Sequence, residues 1–184
     1  METVSETVLG GEAVRAILGR RSIRVFEERG VEEEKVDVLL QCAFAAPSSR
    51  NYHPCHFVVV DDRNLLAKIG KSSDNARMVG GAPLAIAVCV DVARYEKEHR
   101  VTDGTWIEDA ACAMENILIA ARALGLDGVW MQVMNRPERE GVIPPLLNLP
   151  AGVRMMAMAV LGYGAETKAP HGMVSDERLH RNGW

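Results

Sequence analysis

Val14, Ile17 and Leu18 recur at helical spacing, and Gly19 follows as a stop, so a first short helix is predicted over residues 11–18. Across 31–46, Val31, Val36, Leu39, Leu40 and Ala43 share one helical face. Glu32, Glu33 and Glu34 suit the positive end of that helix, and Pro47 ends it. The β-branched run at 56–61 (HFVVVD) predicts a strand, the polar turn 61–64 follows it, and 65–69 make a short helix. After Gly80-Gly81 the stretch 82–90 is apolar without a break, the pattern of a central strand buried on both faces. Residues 106–124 are apolar nearly all round, so this helix is expected in a subunit interface, with Gly125 as its C-cap. Two more strands fall at 129–133 and 154–161, separated by a turn rich in proline (Pro137, Pro144, Pro145, Pro150), and the tail beyond Gly164 is irregular. Helices first, then strands mixed with helices, make the fold class α+β.

The 184 residues hold no internal repeat, low-complexity segment or long linker, so a single domain over 1–184 is expected. A formal charge of −4 argues against general attraction to nucleic acid, so any anion site must be local. Cys42, Cys55, Cys89 and Cys112 are scattered with no CxxC pair, which suits reduced thiols in a cytoplasmic protein. Cys42 and Cys112 lie in helical stretches where an inert, buried thiol is expected. The N-terminus is acidic where a secretory signal is basic. The most apolar stretch is interrupted by Glu115, Asn116 and Arg122 and falls short of the ~20 apolar residues of a membrane span.

Three segments carry candidate chemistry. Arg20-Arg21-Ser22-Ile23-Arg24 places three guanidiniums and a hydroxyl at a helix exit, either as a clamp for a phosphate monoester or as a solvated turn paired to the Glu-rich helix behind it. Residues 46–54 (APSSRNYHP) are dense in hydroxyl, amide and backbone donors that could line a polar ring, and the same composition also makes ordinary turns. At 125–132 (GLDGVWMQ) a glycine turn enters a buried strand whose backbone could approach a ligand, although neither GxGxxG nor a P-loop is present. His53, Cys55 and His56 do not make a metal set, because neighbours in a strand point apart and no fourth ligand is suitably spaced.

Taken together, RRSIRVF at 20–26, APSSRNYHPCHFVVV at 46–60, Asn75 before GGAPLAIAV, DAACAMENILIAARALGLDGVW at 109–130 and LGYG at 161–164 resemble the nitroreductase family of FMN flavoproteins. The resemblance implies a three-layer sandwich with a central mixed sheet flanked by helices, in an intertwined homodimer with FMN at the subunit interface. It assigns Arg20, Arg21, Ser22 and Arg24 to the phosphate and ribityl chain, and Asn75 to the neighbourhood of the flavin ring. Pro47, Ser48, Ser49 and Asn51 match the loop contributed by the partner subunit. Gln132 and Val133 match the strand end whose backbone approaches flavin N5, and no side-chain acid or base is required. Where the family often carries a Lys and an Arg after its GY segment, this chain has Lys168 and His171, of which Lys168 is assigned to the phosphate. Met78 stands where many relatives place a polar or basic group near the ring.

The implied activity is electron transfer from NADH or NADPH to nitroaromatic, quinone or similar small acceptors in a ping-pong order. The alternative is an FMN-binding or regulatory module with little turnover. Residues 92–105, with Tyr95, His99 and Arg100, are expected as a lid or as a plain exposed loop.

Overall fold

In the computed structural model, which describes residues 11–100, 104–169 and 176–184, the chain runs α1 (Glu12–Gly19), α2 (Glu33–Phe44), β1 (Cys55–Val60), α3 (Arg63–Gly70), α4 (Arg77–Gly81), β2 (Leu84–Asp91), α5 (Val92–His99), α6 (Trp106–Ala123), β3 (Asp127–Gln132), α7 (Pro137–Glu140), α8 (Ile143–Leu146) and β4 (Val153–Gly162). The strands form one sheet in the order β1-β2-β4-β3. Every strand pairing is antiparallel, and the parallel element expected of a mixed sheet is confined to an isolated bridge between Ser22 and Gly128.

The unbroken apolar run becomes β2, and alternation explains its composition. Leu84, Ile86, Val88 and Val90 enter the layer formed with α2 and α6, whereas Ala85, Ala87 and Cys89 enter the layer under α3 and α4. Helices therefore cover both faces, giving three layers. On α6, Ala110, Ala113, Met114, Ile117, Leu118 and Ala121 are buried. Cys112, expected to be buried, is exposed, because together with Glu108 it lies on the stripe turned away from the sheet.

The expected helix at the N-terminal end is present as α1, but its apolar stripe faces outward. Only Ala16 is buried, while Ile17 and Leu18 are 51% and 55% exposed. Two other segments differ from expectation. The proline-rich turn contains α7 and α8, each with Pro in its first turn, where a missing N–H costs nothing. Residues 92–99 are helical rather than a loop, capped by Asp91, whose Oδ1 accepts from Arg94 N–H at 3.0 Å, while 101–103 lie outside the described residues.

Residues 20–26 run extended along the β3 edge and the end of β4. Ile23 N–H donates to Gly128 O at 3.1 Å, Glu27 N–H to Tyr163 O at 2.8 Å and Ala165 N–H to Val25 O at 2.9 Å. Tyr163 fastens the following segment: its hydroxyl donates to Glu32 Oε2 at 2.6 Å and accepts from Lys35 Nζ at 2.9 Å. These bonds, with Arg29 beside them, hold the Glu32 carboxyl down at about 2.

Gly128 is buried in β3, and a Cβ there would meet Leu161 Cδ2 at 2.6 Å and Val160 O at 2.9 Å. A backbone oxygen cannot step aside, so Gly128→Ala is expected to destabilise the fold by about 1–3 kcal/mol, as overpacking does. Urea unfolding of the two proteins measures it, and an unchanged midpoint would contradict this packing.

Candidate functional site

The extended backbone of residues 20–24 separates the basic cluster. Side chains alternate along it, so Arg21 and Ile23 leave on one side while Arg20, Ser22 and Arg24 leave on the other. Arg24 lines an open cleft of about 410 Å³ with Asn75, Met78, Trp130, Gln132 and Arg136. Arg21 lines a neighbouring cleft of about 110 Å³ with Arg122, Asp127, Glu166 and Lys168. Arg20 points instead at α6, where its Nε lies 3.8 Å from Glu115 Oε1. The Glu-rich start of α2 pairs with Arg29 rather than with this cluster.

The wall of the larger cleft is the outer edge of β3. In an antiparallel ladder the N–H and C=O of one residue point to the same side, and successive residues alternate. Gly128 O accepts from Ile23 and so faces away from β4, and the backbone groups of Trp130 and Gln132 follow it outward. Val133 differs from Gln132: it is buried, and its N–H donates inward to Met156 O at 3.2 Å. The outward N–H groups at this strand end are thus those of Trp130 and Gln132. Gln132 O accepts from Arg139 Nη1 at 2.5 Å, and Arg139 Nε donates to Ser73 Oγ at 3.1 Å, two residues before Asn75.

In the smaller cleft Lys168 Nζ donates to Ser22 O at 2.6 Å and lies 3.2 Å from Glu166 Oε1, so it is anchored rather than solvated. Arg21 Nε is buried with no hydrogen-bond partner among the described residues. An orphaned cationic donor beside a lysine suits an anion. His171 lies outside the described residues.

The 46–54 segment is elsewhere. It leads into β1, the edge strand opposite β3, so three strand spacings of ~4.8 Å, about 14 Å, separate its end from the β3 cleft. Arg50, Asn51 and His53 all adopt positive φ, a conformation seldom taken by side chains other than glycine or asparagine. Local bonds hold the turn: Ser48 Oγ accepts from His53 N–H at 2.8 Å, and Asn51 Oδ1 lies 2.8 Å from His53 Nε2. Ser49 N–H donates to Asp109 Oδ1 at 2.7 Å, while Asp109 Oδ2 is buried with no partner among the described residues. Pro47 and Asn51 are exposed. Behind the turn, Tyr52 stacks on His99 of α5 at 3.3 Å between ring centroids, so α5 braces this segment. Burial pushes the Cys55 and Cys89 thiols up to about 12, which makes both poor nucleophiles.

The structure thus brings Arg24, Asn75 and Gln132 together, and Arg21 with Lys168, which the Ser22 carbonyl anchors. Arg20 stands apart from both groups, and Pro47, Ser48, Ser49 and Asn51 lie at the far edge. Arg139, Arg136, Trp130 and Asp109 were missed. Arg139 lies in PERE, a segment that reads as a solvated turn, and nothing local reveals that it is buried. Asp109 carried a signal, a lone acid on the buried face of an apolar helix. Among the described residues no helix is long and apolar enough to cross a membrane, and no group of three or more His, Cys, Asp or Glu is placed to hold a metal ion.

The model of the nitroreductase family matches residues 17–76 and 73–163. A protein of Archaeoglobus fulgidus, provisionally named an NADH dehydrogenase/NAD(P)H nitroreductase, is 35% identical over 176 residues, spanning 94% of this chain and 99% of the relative. A crystal structure of a protein with the same provisional name from Bacteroides thetaiotaomicron superposes with a TM-score of 0.86 at 32% identity, covering 95% of this chain and 99% of that one. An FMN-dependent nitroreductase from Clostridium difficile gives a TM-score of 0.84 at 29% identity, covering 93% and 99%.

Burial pushes the Asp109 carboxyl above the ordinary range, with Glu108 adding to the effect and the Ser49 N–H and His53 opposing it. The folded chain therefore keeps a proton that the unfolded chain has released, and stability falls as pH rises through the window between the two values. Asp109→Asn retains an acceptor for Ser49 and cannot ionise, so its thermal midpoint is expected to fall less above about pH 4 than that of the parent. Parallel midpoint curves over that range would refute the assignment.

Proposed function

The chain belongs to the nitroreductase family, and from that premise we propose that it is an FMN-dependent NAD(P)H oxidoreductase acting on nitroaromatic, quinone or similar small acceptors. The observation that carries this is one cleft lined by Arg24, Asn75 and the outward N–H groups of Trp130 and Gln132. Its donors suit a heterocycle whose facing edge is made of acceptors, and the orphaned Arg21 Nε beside Lys168 suits a phosphate. FMN has both parts. When bound it supplies hydride acceptance from NAD(P)H and electron delivery to the acceptor.

The protein's part is to bind, orient and bias. Arg24 and Asn75 would flank the ring, and the N–H groups of Trp130 and Gln132 would present donors to its edge. Val133 supports the strand end from inside the sheet. Arg21 and Lys168 would hold the phosphate, with Ser22 anchoring Lys168 through its carbonyl, and Arg20 would reach the phosphate or ribityl chain only by turning away from Glu115. Donor and acceptor would take turns over one exposed face, in a ping-pong order.

The site is completed by a second copy of the chain. Pro47, Ser48, Ser49 and Asn51 lead into β1, which lies three strand spacings, about 14 Å, from β3 within one chain, and a turn that Asp109 holds in place cannot close that gap. The outward apolar stripe of α1 supports a homodimer in the same way, since Ile17 and Leu18 gain nothing from solvent. The proposed working unit is a homodimer of single-domain chains, and scattered cysteines with no CxxC pair suit the cytoplasm.

The purified protein is expected to show flavin absorption that bleaches on anaerobic addition of NADH or NADPH, with parallel double-reciprocal plots in steady state. Flavin bands that persist would point to a binding module, and a protein that takes up no FMN would overturn the proposal. Arg24→Ala is expected to weaken FMN binding by about 1.5–3 kcal/mol, the range for a hydrogen bond to a charged group. Flavin content equal to the parent's would remove Arg24 from the site.

A further inference from the structure

We propose that Arg139 is a positioning residue: its buried guanidinium takes up the Gln132 carbonyl, leaving the N–H as the strand group that faces the cleft, and sets a desolvated positive charge behind that wall, which favours the reduced, more negatively charged form of the bound ring. The inference rests on the cleft being the FMN site. An outward-facing residue on an edge strand offers its N–H and its C=O side by side. At Gln132 the carbonyl would stand next to the N–H and repel any acceptor brought to it. Arg139 Nη1, at 2.5 Å, takes that carbonyl up, while Nε, 3.1 Å from Ser73 Oγ, ties the same guanidinium to the turn that carries Asn75.

The charge of Arg139 is poorly balanced. The side chain is 7% exposed, and Glu138, its carboxylate partner among the described residues, lies 3.9 Å away and is half exposed. Burying a cation is costly unless something compensates it. If fastening α7 were the whole role, a neutral side chain could serve at lower cost. With Arg24 and Arg136 in the same cleft, the positive charge lies behind the donor wall. An occupant that gains negative charge on reduction is held more tightly once reduced; two-electron reduction leaves the FMN ring one negative charge richer while its N5 takes up a proton, so the field of the buried cation, rather than the donors at the strand edge, favours the reduced form.

The test measures oxidised FMN binding to the apo-protein by flavin fluorescence and the two-electron potential of bound FMN by dye equilibration. Arg139→Met is expected to lose about tenfold more affinity for reduced than for oxidised FMN, read as a fall of about 30 mV. Arg139→Lys, which keeps the charge and a donor, is expected to recover most of that fall. If the Met variant does not fold, Arg139→Gln carries the test, because it fills the space and loses the charge, and a fall in the same direction is expected. A merely structural role weakens both redox forms equally, so a wild-type potential in the neutral variant that folds would overturn the inference alone. A parent protein that binds no FMN would instead overturn the assignment of the cleft, and this inference with it.

Discussion

A sheet edge has to dispose of its outward N–H and C=O groups, and the way β3 does so organises the molecule around it. At its start, Gly128 O is taken by Ile23 N–H, which draws residues 20–26 into an extended run beside the strand. At its end, Gln132 O is taken by Arg139. Between these two caps the backbone of Trp130 and the N–H of Gln132 face the cleft. An edge left bare over this length would invite pairing with another chain. Here it is closed at both ends and opens only along the cleft, and the separation of Arg21 from Arg24 follows from the extended pairing at the first cap.

This dependence explains what could be read in the chain beforehand. The elements buried on one or two faces were legible, because α2 shows a 3.6-residue period and β2 is apolar throughout, and burial is what writes such patterns. The motifs at 20–26, 46–54 and 125–132 were legible as local concentrations of donors. Their arrangement was not. That Val133 donates inward while Gln132 faces out depends on strand parity, which is fixed by the pairing with β4. Arg139 sits in four residues that resemble any solvated turn, and its burial is created by Ser73 and Gln132, 66 and 7 residues away. The exposed stripe of α1 follows the predicted helix, yet no periodicity says which way an amphipathic face will point.

The opposite edge poses a complementary problem. The 46–54 turn holds three residues at positive φ, is braced by the Tyr52–His99 stack, and is pinned by a buried carboxylate with one oxygen lacking a partner among the described residues. So much local constraint on a surface turn is hard to justify by the stability of one chain, since each strained residue costs of the order of 1–3 kcal/mol. It makes sense if the turn must keep its shape before it meets something else. Constraint at one edge and donors at the other are what two copies arranged about a shared ligand require, and each copy would then enter the complex with little left to order.

Electrostatics restrict how the cleft can attract a ligand. The chain carries a formal charge of −4, so an anion approaching from a distance meets repulsion overall. Within the cleft the balance reverses, because Arg24, Arg136 and Arg139 face Glu138 as the carboxylate in the lining. Salt screens exposed charges beyond about 8 Å at physiological ionic strength, so the repulsion is felt weakly near the site and the local cations decide. Two of the three, Arg24 and Arg136, are exposed and individually worth little. Arg139 is the one removed from solvent, where a charge acts through a lower effective dielectric, so the field at the β3 edge depends most on the residue that has the least contact with water.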